Sequence, residues 1–408
     1  MDERSPRNLK AMLSESKDTS ELMVDLAYAA LFFSDEHMAT EVDELEERLT
    51  GLVHEMREVC VLAARSPHDA EQMSSVLHVI SAIERMASAA VGISGIVTRR
   101  LGIPAALVAD LAVAEEVSHR VRVRDDSILA QQSLAAIELP TKIGMRIVAI
   151  RRTKDWIIDP DGDEILVPND VLILRGPPAG IPELRQLAAA PEWLPLNDVE
   201  TPALTDLDRA VDVLVEMKNV SEVAIGLAYS ALLFNDQSLA AEVNHLEERL
   251  NEMRERLEVW VLRAAADQID PSSLRGLLHL GFAAEEIGDA AQQMVWLVEQ
   301  QEEMHPILSL ALGESDEVIA RMPVAAGSDL ANTTIGAVQL EMETGFYLLA
   351  IRRSGRYVYR PRGQVSIVAD DELIVSGPDE GQAALAARCG YDLITADTGE
   401  TELILLSN

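Results

Sequence analysis

A chain of 408 residues has room for two or three domains with cores of their own. Its 48% hydrophobic content excludes a disordered chain, and only 4% aromatic residues point to aliphatic, helix-rich packing. A net charge of −35 excludes a nucleic-acid binder and a polybasic membrane-docking protein, both of which need basic surfaces.

The acidic residues are dispersed, and only five of the 34 basic residues are lysine, a pattern that fits a cytosol of high salt where short screening lengths weaken self-repulsion. The polar first twenty residues, with Pro6, do not read as a signal peptide. The apolar stretches Leu26–Phe33 and Ala87–Val97 are cut short by charge, so no membrane span is expected and the protein is placed in the cytoplasm. Cys60 and Cys389 read as free thiols of a reducing compartment.

Taken in order, Leu22, Leu26, Ala29 and Phe33 step at helical spacing. After a short slip, Val42, Leu45, Leu49, Leu52, Met56 and Val59 continue the stripe, which predicts one long amphipathic helix. Ser66-Pro67 reads as an N-cap and first helical position, opening a second helix through Met73, Leu77, Ile80, Ile83 and Ala87 that ends near Gly102–Pro104. The two form an antiparallel hairpin.

Strand-like alternation then covers Val117–Arg124, and Ser127–Leu139 reads as a short helix. Strands follow at Met145–Arg152, Asp155–Ile158 and Asp170–Leu174, with a type I turn at Asp159-Pro160-Asp161-Gly162 and a closing helix near Pro182. This is a β-α-β-β-β-α unit, an α+β domain with helices on one side of a small sheet. Pro191, Pro195 and Pro202 mark a linker.

The second half repeats the first at an offset of 201 positions. Gly144 falls on Gly345, Ala149-Ile150-Arg151-Arg152 on Ala350-Ile351-Arg352-Arg353, Pro160 on Pro361, Asp170 on Asp371 and Gly176-Pro177 on Gly377-Pro378. Among the helices, Leu26-Ala27-Tyr28 falls on Leu227-Ala228-Tyr229, and Leu45-Glu46-Glu47-Arg48-Leu49 on Leu246-Glu247-Glu248-Arg249-Leu250. Asp270-Pro271 is the second N-cap and first helical position, and the two hairpins predict a four-helix or larger bundle. The expected organisation is helical 1–115, small domain 116–190, linker 191–204, helical 205–316, small domain 317–390 and tail 391–408.

The cassette IVAIRR…WIIDPDGD…LVPNDVLILRGP, present twice, resembles the TrkA-C (RCK-C) domain of potassium-conductance regulators. The helical segments with EVDELEERL and EVNHLEERL are similar to half of a PhoU-type bundle. The whole looks like two PhoU-like and TrkA-C units in tandem, an archaeal architecture of potassium-transport regulator type. The fold class expected is therefore α+β and multidomain: two long helical hairpins plus two small TrkA-C-like domains from an internal duplication.

The resemblance implies pairing of the small domains, with cyclic di-AMP bound by some family members at the pair interface. In that setting Ile157 and Ile158, before Pro160, flank an adenine, and Arg151 and Arg152 reach a phosphate through bidentate forks. Arg352, Arg353, Val358, Tyr359 and Pro361 are the second copy's equivalents. The copies differ at Ile158/Tyr359 and Asp159/Arg360, so one copy binding while the other only pairs with it is an open alternative. The Gly-rich loop of a Rossmann NAD or ATP site is missing; Gly92-Ile93-Ser94-Gly95 lies in a helical run with the wrong spacing.

PhoU-type metal binding is weakened because Asp43 and Glu47 keep a carboxylate spacing that Asn244 breaks in the second half. Glu41 with Glu84, and Glu242 with Glu285, are the carboxylate pairs open to a metal, against a plain reading as solvated helix faces. His78 and His279 read as structural. No catalytic motif is present, so no enzyme is expected. The function implied is a regulatory subunit acting on a separate membrane cation channel or transporter, as a homodimer or through intramolecular pairing. The alternative is a phosphate-signalling adaptor whose helical bundle binds metal or a transporter.

Overall fold

The computed structural model describes residues 8–111, 114, 116–153, 155–192, 205–266, 271–301, 304–313, 315, 317–395 and 401–406. The stripe expected to form one long helix is divided into α1 (Leu9–Phe33) and α2 (Glu36–Ala63). The division sits at the slip in the periodicity. Ser34 adopts the left-handed region, and the Asp35 carboxylate caps α2 by accepting from the amides of His37 and Met38. The hairpin arm is thus two antiparallel helices, and each half opens with three long helices.

Helix α3 (Pro67–Thr98) begins at the expected cap, with the Ser66 hydroxyl accepting from the Asp69 amide at 3.1 Å. It is long and apolar enough by composition to cross a membrane, but Val76, Val79, Ile80, Ile83, Met86, Ala90, Ile93 and Ile96 are buried within the bundle. A short α4 (Ala105–Leu111) leads to β1 (Val117–Arg122). Next come α5 (Leu134–Ile137) and α6 (Leu139–Ile143), divided by left-handed Glu138, where a single helix was expected. Strands β2 (Arg146–Arg152), β3 (Asp155–Ile158) and β4 (Val171–Gly176) follow, and α7 (Ile181–Leu187) closes the first small domain.

The second half repeats this with α8 (Asp206–Phe234), α9 (Gln237–Ala266), α10 (Arg275–Glu299) and α11 (Ile307–Leu312). A Thr205–Asp208 capping box opens α8, and Asn235 and Asp236 end it as Ser34 and Asp35 end α1. The expected cap residue Asp270 and most of the expected linker, residues 193–204, lie outside the described residues. Strands and helices β5 (Glu317–Pro323), β6 (Thr333–Thr334), α12 (Ile335–Val338), α13 (Leu340–Thr344), β7 (Tyr347–Arg353), β8 (Arg356–Tyr359), β9 (Ser366–Ile367), β10 (Glu372–Pro378) and α14 (Gln382–Arg388) form the second small domain. The residues read as a tail contain an antiparallel pair, β11 (Tyr391–Thr395) and β12 (Thr401–Leu405), with Tyr391, Leu393 and Leu403 packed on that domain's core.

The chain forms two compact units, residues 1–118 with 195–315, and residues 119–194 with 316–408. In the helical unit α1–α3 and α8–α10 are two three-helix bundles joined through α3 and α10, with α4 packed on α8 and α11 on α1 and α8. Its core is aliphatic: Met23, Leu26, Met38, Met56, Ile80, Ile83, Met86 and Ile93 are fully buried. Each such side chain contributes about 1.5–3 kcal/mol.

In the other unit the two four-stranded antiparallel sheets have the same order, β1-β4-β2-β3 and β5-β10-β7-β8. Both carry a bulge at the same place, Val148 and Leu349 being skipped in the pairing. The tight turn after β3 lies two residues beyond the expected one: the Glu164 amide donates to Asp161 O at 2.9 Å, and Val365 repeats this to Arg362 O at 2.8 Å. Pro160 precedes that turn; the reversal at the strand end is made by Asp159 and Arg360 at φ 47° and 43°.

Candidate functional site

The two small domains pair within one chain through α6 and α13. The glycines of the cassette explain how closely. Gly144 has φ +67°, and a Cβ there would lie 2.9 Å from Glu341 O of the other copy; Gly345 has φ +76° and would meet Pro140 O at 2.9 Å. Each glycine therefore supplies both a left-handed helix end and room for the other copy's backbone. Arg146, at the start of β2, extends the contact, placing Nη1 at 3.4 Å from Glu317 of the second copy and Nη2 at 3.4 Å from Asp159 of its own.

The strand period of two sorts the expected ligand residues onto opposite faces. Ile157 pairs with Ile150, which pairs with Leu172; in the second copy Val358, Ile351 and Leu373 hold the same places, Ile351 and Leu373 in the domain core and Val358 half-buried against it. Ile157 and Val358 are thus core-side residues. The other face carries Ile158 beside Ala149, then Trp156 beside Arg151, with Tyr359 beside Ala350 and Tyr357 beside Arg352 in the second copy. One ligand cannot lie between Ile157 and Ile158.

Arg152 and Arg353 are committed elsewhere. Arg152 Nε and Nη2 bind both carboxylate oxygens of Asp170 at 3.0 and 2.8 Å, Nη1 binds Glu164 at 2.8 Å and Nη2 also reaches Ile165 O at 2.9 Å. Arg353 forms the same fork on Asp371, at 2.7 Å for both bonds, and reaches Ser366 O. Asp170 and Asp371 are buried and each also accepts from a turn amide, Val167 or Val368. These bonds hold both guanidinium groups even more firmly protonated than usual. The second arginine of AIRR and the aspartate 18 residues on are a buried clamp fastening the loop before β4. Phosphate capture by either would require opening it.

Arg151 and Arg352 differ from each other. Arg352 lies opposite Glu372 and binds it at 2.7 Å, whereas Arg151 lies opposite Val171 and is exposed. Tyr357 and Tyr359 stack with centroids 5.4 Å apart, where the first copy has Trp156 and Ile158. Pro160 and Pro361 are half-buried after the edge strands. Both arginines stand five residues along the strand from Arg146 and Tyr347, about 17 Å from the copy–copy contact. Trp156 was not among the expected residues, although its place two before Ile158 puts it on that residue's face.

In the helical unit the carboxylates weighed for metal are held by arginines, Glu84 by Arg57 at 2.6 Å and Glu285 by Arg254 at 2.7 Å. Among the described residues no group of three or more metal-binding side chains converges. His78 binds Gln293 O at 2.8 Å and lies against Trp296, a structural position. Sequence reasoning missed a buried charge network. Lys17, 2% exposed, pairs with Glu21 at 2.7 Å and lies 5.2 Å from the Tyr229 ring. Lys218, 7% exposed, pairs with Glu222 at 2.8 Å and lies 5.3 Å from the Tyr28 ring. Each lysine thus meets the tyrosine of the other repeat. Burial and the nearby Glu21 and Asp18 carboxylates push the Tyr229 hydroxyl well above its usual range. The signal was present: two of five lysines obey the repeat offset, as do their glutamates and tyrosines.

Comparison with known proteins agrees with this division. The TrkA-C domain family matches residues 119–189 and 319–390, and the PhoU domain family matches 13–97 and 214–298. No curated protein matches. Among solved structures, PhoU from Pseudomonas aeruginosa is similar at 14% identity over 71% of this chain and 93% of that one, with a TM-score of 0.37. The GsuK channel bound to NAD matches at 14% identity over 78% of this chain and 65% of that one, with a TM-score of 0.18. The GsuK RCK domain matches at 13% over 70% of each, also at 0.18. At these scores the assignment rests on the family matches. These domain families have a regulatory role in potassium transport or phosphate signalling. The chain belongs to both, as a tandem PhoU and TrkA-C protein with each domain present twice.

Proposed function

We propose that this chain is a cytoplasmic regulatory subunit of potassium or other cation transport, sensing a small ligand through its TrkA-C domains and acting on a separate membrane channel or transporter. The observation behind this reading is the pairing of two TrkA-C copies with the same sheet order and bulge inside one chain. That arrangement supplies a ready-made two-domain sensor without a second subunit. Cyclic di-AMP is the first ligand to test, its phosphates matching the exposed Arg151 and its bases the neighbouring Trp156 and Ile158.

The activity proposed is binding, not catalysis. A ligand shifts the regulator by no more than its differential affinity for the two states of the protein. A thermal-shift series with cyclic di-AMP, ATP, NAD, potassium and inorganic phosphate tests the reading. Cyclic di-AMP is expected to raise the unfolding temperature, by an amount equivalent to about 2.7 kcal/mol at a hundredfold excess over Kd. Stabilisation by phosphate or metal alone, with co-purification of a phosphate transporter, would replace this reading with the signalling-adaptor one.

A further inference from the structure

We infer that β12 is an interface between two copies of this chain: its open edge pairs antiparallel with the β12 of a second copy, joining two hairpins into one four-stranded sheet. This surface shares no residue with the proposed ligand site, and pairing through it requires no ligand.

The hairpin of β11 and β12 belongs to the second half alone. At the repeat offset its residues correspond to 190–204, where Pro191, Pro195 and Pro202 break the strand pattern. One face of the hairpin, with Tyr391, Leu393 and Leu403, packs on the domain core. Strand alternation sends Ile394 and Ile404 to the other face, and both are exposed, as are Leu405 and Leu406 at the end of β12. Helix α14 packs on β11, and among the described residues no third strand joins the sheet beside β12.

Backbone direction decides what this edge offers. The Leu406 amide donates to Gly390 O at 3.0 Å, so the even-numbered residues of β12 are those that bond to β11. The N–H and C=O groups of Leu403 and Leu405 therefore point away from β11. The edge strands of the two four-stranded sheets are guarded by charge: Arg120 and Arg122 in β1, Asp155 in β3, Arg321 in β5 and Arg356 in β8. In β12 the one charged residue is Glu402, and neither a proline nor a bulge interrupts its pairing.

An antiparallel edge is its own complement under twofold symmetry, so a second copy supplies the missing strand. The outward-pointing residues must face each other across the new ladder. This sets Leu403 opposite the second copy's Leu405, and Ile404 opposite the second copy's Ile404. That register also suits a chain of net charge −35. Each Glu402 stands opposite a Leu406, and the two glutamates lie about 13 Å apart along the strands, beyond the screening length of about 8 Å at physiological salt. One hairpin against another buries less than the roughly 1,200 Å² of a stable interface, so the dimer is weak and forms as concentration rises.

Sedimentation equilibrium of the full chain over about 1–300 µM, in molar potassium chloride to screen the net charge, tests the assignment. The mass is expected to rise from one chain toward two. Ile404→Lys sets two ammonium groups opposite each other, and Leu405→Pro removes an outward N–H that the hairpin does not use. Each is expected to raise the dissociation constant by about tenfold or more. Protection of the Leu406 amide in hydrogen exchange reports that the hairpin itself survives in either variant. The register is read by oxidation: facing α-carbons about 4.5 Å apart lie within disulfide reach, so Ile404→Cys is expected to cross-link two chains and Leu406→Cys is not. A chain that stays monomeric throughout leaves the edge to a different protein and overturns the inference. A dimer of unchanged affinity in both variants, with no cross-link through Ile404→Cys, places the contact elsewhere and overturns it too.

Discussion

Replacing Arg152 by methionine removes the guanidinium and keeps most of the aliphatic stem. The Asp170 carboxylate, with 1% of its side chain exposed, then retains only the Val167 amide at 2.9 Å of the bonds that satisfy it. Breaking a fully buried ion pair typically costs about 3–5 kcal/mol, chiefly because the partner charge is stranded. Arg152 is itself 33% exposed, so water reaches part of the vacated volume and the lower figure of about 2–3 kcal/mol applies.

Since the chain has two units, a single global unfolding energy is the wrong readout, and hydrogen exchange of particular amides is the right one. The Val167 amide is bound to the carboxylate itself, and the Val123 amide is bound to Asp170 O at 2.9 Å. Both are expected to exchange roughly 30- to 150-fold faster in Arg152→Met. The matching amides of the second copy, Val368 and Val324, are the internal control and should not change. Adding Asp170→Asn removes the stranded charge while keeping an acceptor for Val167, and is expected to recover more than half of the loss. Acceleration below about fivefold in Arg152→Met would show that the clamp is not what fastens this loop.

Other outcomes follow from the same reasoning. Lys17→Met strands Glu21 inside the helical unit and is expected to cost about 2–3 kcal/mol, read as faster hydrogen exchange of the α1 amides, most of it restored by adding Glu21→Leu, because an apolar pair of similar size tolerates burial. Gly345→Ala forces alanine to φ +76° and its methyl to 2.9 Å from Pro140 O, whereas Gly355→Ala at φ +77° meets nothing within 4 Å. Both should lose about 1–2 kcal/mol to backbone strain, and the excess loss in Gly345→Ala measures the crowding at this site, by Pro140 O of the other copy and by the Pro378 ring of its own.

His119 is held neutral by burial and by Arg185, its pKa lowered to about 4. Because the folded value is depressed, the unfolded chain binds the proton more readily below the ordinary pKa of 6.5. Stability is therefore lost as pH falls, by about 2 kcal/mol between pH 7.5 and 5, and His119→Gln should flatten that part of the profile. Burial raises the Cys60 and Cys389 thiols to about 11 and 12, so both should react with a disulfide reagent at neutral pH only as fast as the fold opens.

Much of the fold could be read from the chain because two copies of each element speak to one another. The strands at 146–152, 155–158 and 171–176 lie within a residue or two of their expected places, since alternation and bounding turn residues mark half-buried strands clearly. The break at Ser34 was visible only as a slip in the apolar stripe. What ends the helix there is a left-handed backbone and an aspartate cap, which leave little trace in hydrophobic spacing. The Arg152–Asp170 clamp was present as two repeat-matched residues, but their meeting depends on the loop before β4 folding back, a tertiary fact.

The site was the least legible part. Arg151 and Arg152 are adjacent in sequence, yet strand geometry sends one to the outer face and the other to a buried aspartate. The same alternation separates Ile157 from Ile158, and it brings in Trp156. Whether an arginine stands open depended on its cross-strand neighbour, Val171 or Glu372, twenty residues further along the chain.

The most direct test of the sensing account is hydrogen exchange across the whole chain with and without saturating cyclic di-AMP. The account predicts slower exchange in β2 and β3, around Arg151 and Trp156, or in their second-copy equivalents β7 and β8. Protection confined to the long helices α1–α3 and α8–α10, or no protection anywhere, would contradict it.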